Sequence, residues 1–252
     1  MNNVLQVKDV KKAFGNLRAL DGVTLNVEDK TVTILIGPNG SGKTTLLNVI
    51  TGFLKPDEGH IKFGSADITN RSPQEVYSAG IARTFQIPAM FGNLTTLENL
   101  LVAEKKHPGE SLTRSFVRRL WVKYERNTIE KASKILELLG MSEQADKPAS
   151  LLSGGQMKLV EIGRALMSDA SLYLLDEPVS GVNPTLAHEI FAKILNLREQ
   201  FGVTFLIIEH RLDIALKYVD YVNAMVSGRL IAAGPPKEVI SDPKVIEAYL
   251  GA

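Results

Sequence analysis

Three groups of residues in this chain have types and spacings that suit phosphate chemistry. The first is Gly37-Pro38-Asn39-Gly40-Ser41-Gly42-Lys43-Thr44. Its glycines let backbone N–H groups close around phosphate oxygens, and a helix opening beside them adds positive potential. Lys43 would reach the β- and γ-phosphates and the Thr44 hydroxyl would ligate Mg²⁺. The second group, Asp176-Glu177, ends the apolar run Leu172-Tyr173-Leu174-Leu175. Two carboxylates at a strand end lie at the carboxyl edge of a sheet, where ligands of open α/β folds bind. Asp176 would hold Mg²⁺ through water, and Glu177 would polarise the water that attacks the γ-phosphate. The third group, Ser153-Gly154-Gly155-Gln156, opens a helix predicted over 157–167 and offers a second anion site. Ser153 with Gln156 three positions on is also a capping box, which accounts for the same residues without a ligand.

Elements that could position these groups are visible in the pattern. Residues 1–36 alternate as β, with Gly22 and Asp29-Lys30 as turns. The run TVTILI (31–36) is continuously apolar, as at the centre of a sheet. A helix follows from about Ser41 to Ile50 and stops at Gly52. A short strand is predicted over 60–63, a helix from Pro73, and a strand-like stretch over 80–86 ending in Gln86. Residues 87–150 are mostly helical in pattern: 96–104, about 113–124, and 129–139 closed by Gly140. Beyond them, strands over 171–175 and 203–208 flank a helix over 186–200, which implies a parallel, right-handed crossover. His210 follows the second of these strands. A helix over 212–218 and a hairpin around Ser227-Gly228 come next. The expected fold is an α/β core interrupted by a helical insert: one domain over 1–252, with core residues 1–86 and 151–252 and the insert at 87–150.

Composition narrows the function classes. The 252 residues carry a net charge of +1, so nothing global argues for a nucleic-acid partner. There is no cysteine, which excludes disulfides and thiolate metal sites. No apolar run approaches the roughly 18 residues of a spanning helix. His60, His107 and His188 have no motif around them.

Taken together, these residues resemble the ATP-binding cassette family. GPNGSGKT is similar to its Walker A, Gln86 to its Q-loop residue, LSGGQ (152–156) to its signature, LYLLDE to its Walker B and His210 to its switch histidine, all in the family's order. The resemblance implies a P-loop NTPase core with a mixed, largely parallel sheet, an N-terminal antiparallel β subdomain and a helical subdomain. It implies ATP and Mg²⁺ as ligands. Two such domains would pair head to tail, either as a homodimer or with a close relative. Each ATP would be held by Gly37–Thr45 of one subunit and Ser153, Gly154, Gly155 and Gln156 of the other. Lys43, Gln86, Glu177 and His210 would take part in hydrolysis, and Thr44, Gln86 and Asp176 in holding the metal. Phe14 sits where the family stacks an aromatic on adenine. Ser180-Gly181-Val182-Asn183 occupies the D-loop, with Asn183 where much of the family has Asp.

Within the family the chain is similar to ATP-binding subunits of branched-chain amino-acid importers, through FGNLRALDGVTL, NVITGFLKPDEG, GIARTFQIPAMFGNLTTLENLLV, SGGQMKLVEIGRALM and the tail SDPKVIEAYLGA. That implies a peripheral place on the inner membrane face, beside permease subunits and indirectly a substrate-binding protein. ATPases for urea-type, amide or lipopolysaccharide transport share several of these stretches, and an iron–sulfur assembly ATPase is also a short single cassette. The cation-rich stretch 105–126 places Phe116, Val117, Leu120, Trp121 and Tyr124 on one helical face. Packing inside the helical subdomain accounts for that face, with docking near a membrane as the alternative.

Overall fold

The computed structural model describes residues 3–86, 89–105 and 121–250. Its backbone divides into two units: the described residues of 1–86, 170–180 and 187–252 form one, and those of 87–169 and 181–186 the other.

The first unit is built on two sheets. Strands β1 (Asn3–Phe14), β2 (Leu17–Glu28), β4 (Glu58–Phe63) and β5 (Ala66–Asp67) form an antiparallel sheet in the order β2-β1-β4-β5. Strands β3 (Val32–Ile36), β6 (Ile81–Arg83), β7 (Leu172–Asp176), β8 (Thr204–Ile208), β9 (Tyr221–Val226) and β10 (Arg229–Gly234) form a mixed sheet in the order β10-β9-β3-β8-β7-β6. All neighbours in it are parallel except β9 and β10. Strands β3, β7 and β8 are buried at every residue, which explains their predominantly apolar sequence. The β9–β10 hairpin turns at Ser227 and Gly228, at φ +46° and +76°, the two positive φ values that a tight two-residue turn requires.

Helix α1 (Lys43–Ile50) rises from the end of β3. Its Leu46, Leu47 and Ile50 join Leu5, Val7, Leu25 and Leu35 in one buried cluster spanning both sheets. Helices α2 (Pro73–Ala79), α6 (Pro184–Phe201), α7 (Leu212–Ala215), α8 (Pro236–Ile240) and α9 (Pro243–Leu250) complete the core elements, with α6 beginning in the second unit. Helix α2 starts in a full capping box: Ser72 Oγ accepts from the Glu75 N–H while the Glu75 carboxylate accepts from the Ser72 N–H.

The second unit holds α3 (Thr96–Leu101), α4 (Val122–Leu138) and α5 (Gly154–Leu166). Leu100, Ile135 and Leu139 meet at Gly163, where an added Cβ would lie 3.0 Å from Leu139 Cδ1. Helix α4 is continuous through 125–128, where the pattern suggested a break. Those polar residues lie on its outer face, apart from Thr128, which turns inward. Most of the helix expected at 113–124 lies outside the described residues, Phe116, Val117 and Leu120 among them. Tyr124 is within them and faces the protein. Its hydroxyl lies 2.8 Å from both Glu104 Oε1 and the Lys105 carbonyl oxygen. Burial and the Glu104 carboxylate push that phenol up to about 12.

Candidate active site

Both predicted strand-end groups occur at the carboxyl edge of the mixed sheet. The loop after β3 passes through Gly37 at φ +151°, where a Cβ would stand 2.1 Å from the Met225 carbonyl oxygen. Only glycine lets the loop pass so close to β9. Gly40 is the opposite case: exposed, at φ +77°, with nothing within 4 Å of a built Cβ. It leaves open backbone at the loop's tip, as a phosphate cradle requires. Asn39 and Thr44 are exposed, Pro38, Gly42 and Thr45 are half-buried, and Gly37 and Ser41 are buried beneath the loop.

Lys43 folds back across this loop. Its Nζ donates to the carbonyl oxygens of Gly37 at 2.8 Å and Pro38 at 2.9 Å, and to Ser41 Oγ at 3.3 Å. Burial lowers its pKa, opposed by the charges of Glu177 and Asp176. All three acceptors are neutral. An anionic phosphate oxygen would give the ammonium stronger, charge-assisted bonds than any of them.

The carboxylates are divided by their neighbours. Asp176, 6% exposed, pairs with Arg83 of the adjacent strand β6, Nη2 to Oδ2 at 3.0 Å. Glu177 stands at φ +50°, an uncommon conformation for a side chain with a Cβ. The turn is held by the Glu177 N–H donating to the Ile208 carbonyl and the Ser180 N–H donating to the Glu177 carbonyl. Gln86 Nε2 donates to Glu177 Oε2 at 2.8 Å, and His210 Nε2 lies 3.0 Å from Glu177 Oε1. Residues 86, 177 and 210, distant in sequence, thus meet on one carboxylate. That carboxylate and His210 face an open cleft of 480 Å³ lined also by Lys43, Thr44, Thr45, Gly40 and Phe14. The Phe14 ring is 47% exposed, with Lys12 Nζ 5.8 Å from its centroid, and presents an apolar face to the cleft.

Ser153–Gln156 belongs to the second unit and is the cap of α5. Ser153 Oγ accepts from the Gln156 N–H, and Gln156 Oε1 accepts from the Ser153 N–H. The capping box is therefore formed, and it leaves Ser153 and Gly154 exposed. Gly155 is buried, and a Cβ on it would stand 2.1 Å from Leu186 Cδ2. Asn183 caps the next helix: its Oδ1 accepts from the Leu186 N–H at 2.9 Å, just ahead of Pro184. Asn and Asp cap equally well, so an amide at this position loses nothing locally.

Two further residues at this sheet edge belong to none of the sequence motifs. Arg83 lies in the strand-like GIARTFQ, and its charge on a short buried strand is the signal that was available. Glu209 precedes His210 and is 1% exposed. A carboxylate closing an apolar strand was again the only hint.

A phosphate loop between a buried strand and a helix, facing two strand-end carboxylates, defines a P-loop nucleotide hydrolase. The description "ABC transporter" fits residues 20–180 as a family, and "Branched-chain amino acid ATP-binding cassette transporter" fits residues 229–252. The chain belongs to the ABC transporter family and is one of its ATP-binding-cassette ATPases. It is 52% identical to a probable branched-chain amino acid transport ATP-binding protein of Methanocaldococcus jannaschii, over 98% of this chain and 97% of that one. It is 36% identical to the high-affinity branched-chain amino acid transport ATP-binding protein BraF of Pseudomonas aeruginosa, over 98% of each. The crystal structure of the ADP conformation of an ATP-binding cassette of an ABC transporter superposes with a TM-score of 0.87 at 51% identity, covering 100% of both chains.

Proposed function

We propose that this chain is the ATP-hydrolysing subunit of an importer of branched-chain amino acids. Two copies, or one copy and a close relative, close head to tail on two ATP molecules. The observation that carries the hydrolytic assignment is the Glu177 carboxylate held between Gln86 and His210 at the cleft that Lys43 lines. Full-length identity to relatives named for branched-chain amino acids supports the cargo.

In this reading the loop Gly37–Thr45 takes the phosphates and Phe14 the adenine. Glu177 accepts the proton of the attacking water, His210 steadies the carboxylate and the γ-phosphate, and Gln86 senses occupancy. Exposed Ser153 and Gly154, with the backbone of Gly155 and Gln156, face the γ-phosphate bound by the other subunit. The residues suit Mg²⁺. A Thr44 hydroxyl, an Asp176 carboxylate and a Gln86 amide are hard oxygen donors. Among the described residues no cluster of three His, Cys, Asp or Glu could hold a metal by itself. Bound there, Mg²⁺ would neutralise charge on the phosphates.

The relatives' names as transport ATP-binding proteins support a translocation path in separate permease subunits, fed by a substrate-binding protein. No helix among the described residues is long and apolar enough to cross a membrane. A 370 Å³ groove lined by Phe53, Tyr77, Val76 and Phe85 offers such a subunit an apolar seat near Gln86 at the inner membrane face.

Uptake of labelled leucine by the reconstituted complex tests the cargo, and the variant Glu177→Gln tests the chemistry. Hydrolysis should slow by about 10²–10⁴, while ATP still drives dimerisation seen by gel filtration. Normal turnover in that variant would remove Glu177 as the base.

A further inference from the structure

We propose that Glu209 is a positioning residue that sets the general base against His210. This rests on the roles given above to Glu177 and His210. The Glu209 side chain follows β8 and is 1% exposed. Its Oε2 accepts from the His210 N–H at 2.7 Å and the Arg211 N–H at 3.0 Å. Its Oε1 accepts from the Val179 N–H at 3.2 Å. One buried carboxylate therefore ties together the loops that leave two neighbouring parallel strands. One loop carries Glu177 and the other His210.

The Glu177 side of this link is the one that needs holding. Val179 lies two residues past Glu177, within the turn that keeps Glu177 at φ +50°. A conformation of that kind persists only where surrounding contacts over-determine it. The Glu177 N–H and the Ser180 N–H supply two tethers, and Glu209 supplies the third. On the other side, the bonds to residues 210 and 211 fix the backbone from which the His210 ring reaches Glu177 Oε1, 3.0 Å away.

The chemistry needs a carboxylate. Three N–H donors converge on two oxygens, and an ionised carboxylate is acceptor-only. Glutamine would place an NH₂ donor against one of the N–H groups and keep at most one side of the bridge. An apolar residue would leave all three N–H groups without this acceptor, the Val179 N–H in a buried setting and the other two partly buried. A glutamate at this depth is costly to bury and is stabilised by these bonds. The arrangement couples the two loops, so displacing one displaces the other.

Steady-state hydrolysis by the full-length protein, with equilibrium ATP binding measured beside it, tests this. Glu209→Gln should lower kcat by roughly 10–100-fold, the cost of misplacing a reacting group, with ATP affinity held within about threefold. Val179→Pro deletes the single N–H on the Glu177 side and should reproduce the kcat loss. The double variant should be no slower than the slower single one, because both cut the same link. Losses that multiply, a kcat at the parent level in either single variant, or affinity falling in step with kcat would overturn the proposal. If Glu209→Gln does not fold, Val179→Pro alone decides. Glu177→Gln in the same assay separates the two readings. If it turns over normally the base assignment fails, whereas an inactive Glu177→Gln beside an active Glu209→Gln overturns only the positioning role.

Discussion

Arg83 Nη2 sits 3.0 Å from Asp176 Oδ2, and both side chains are nearly sealed from solvent, at 7% and 8% exposure. The same guanidinium donates to Asn48 Oδ1 at 2.6 Å and Thr51 Oγ1 at 3.3 Å, both on or just after α1. Its outer face packs on the rings of Phe85 and Phe53, at 5.2 and 6.0 Å. One cation thus joins the helix of the phosphate loop to the carboxylate that β7 delivers. Arg83→Met keeps the packing and leaves Asp176 buried without its counter-charge. Removing one partner of a buried pair costs about 3–5 kcal/mol, so urea unfolding of Arg83→Met should show a loss in that range. A loss below about 1 kcal/mol would mean that Asp176 is neutralised by something other than Arg83.

Much of this site can be read from residue types, and the parts that cannot share a cause. The phosphate loop is legible because its glycines answer backbone demands that no other residue meets, at Gly37 and Gly40 above all. Strands β3, β7 and β8 are legible because burial on both faces makes them mostly apolar, with Thr33, Asp176 and Thr204 the buried polar exceptions. Arg83 and Glu209 are different. Each is explained by which strands lie side by side: β6 against β7 for the ion pair, β7 against β8 for the bridged loops. Periodicity along one strand carries no information about its neighbour. Helix α4 shows the same limit locally, since a polar stretch on an outer face looks like a break until the packing is known. Asn183 stands apart: its departure from the family's Asp loses its interest once it is a helix cap.

Phe14 offers the cleft an exposed ring on a strand end rather than a hydrogen-bonding group. A stacking role predicts that Phe14→Ala weakens ATP by about 1–3 kcal/mol, roughly 5–150-fold in Kd. Inorganic tripolyphosphate, which has no base, should bind parent and variant alike. Equal losses for both ligands would place Phe14 in the structure of the loop instead of the adenine site.

Glu75 supplies a stability prediction independent of nucleotide. The Ser72 N–H, then the Ser72 hydroxyl, then Arg71 hold its carboxyl at about 2, down from 4.5. A folded pKa below the unfolded one stabilises the protein when the group is ionised. The contribution is therefore complete above about 4.5 and is lost as the pH falls through about 2. Glu75→Gln keeps the shape of the capping box without the charge. Thermal melts of parent and variant should differ by a constant amount from pH 7 to about 5 and converge as the pH is lowered further. A gap that stays constant down to pH 3 would assign the whole effect to the neutral cap.

The exposed cap of α5 makes a prediction that distinguishes its two roles. As a helix cap, Ser153 contributes about 1 kcal/mol through the bond from the Gln156 N–H. As half of a partner's nucleotide site, it would do nothing for ATP binding by the isolated subunit. Ser153→Arg should then leave the subunit's ATP affinity within about twofold, lower its stability by about the value of one cap, and abolish ATP-dependent dimerisation together with hydrolysis. Gly155→Ala is the internal comparison, because its Cβ would press on Leu186 within the same unit. Overpacking there should cost about 1–3 kcal/mol of stability by itself, so its effect on dimerisation should scale with unfolding at the assay temperature. Ser153→Arg should lose dimerisation while still fully folded. If Ser153→Arg instead dimerises and hydrolyses ATP at the parent rate, the exposed serine is a cap alone and the closed dimer must be held by other surfaces.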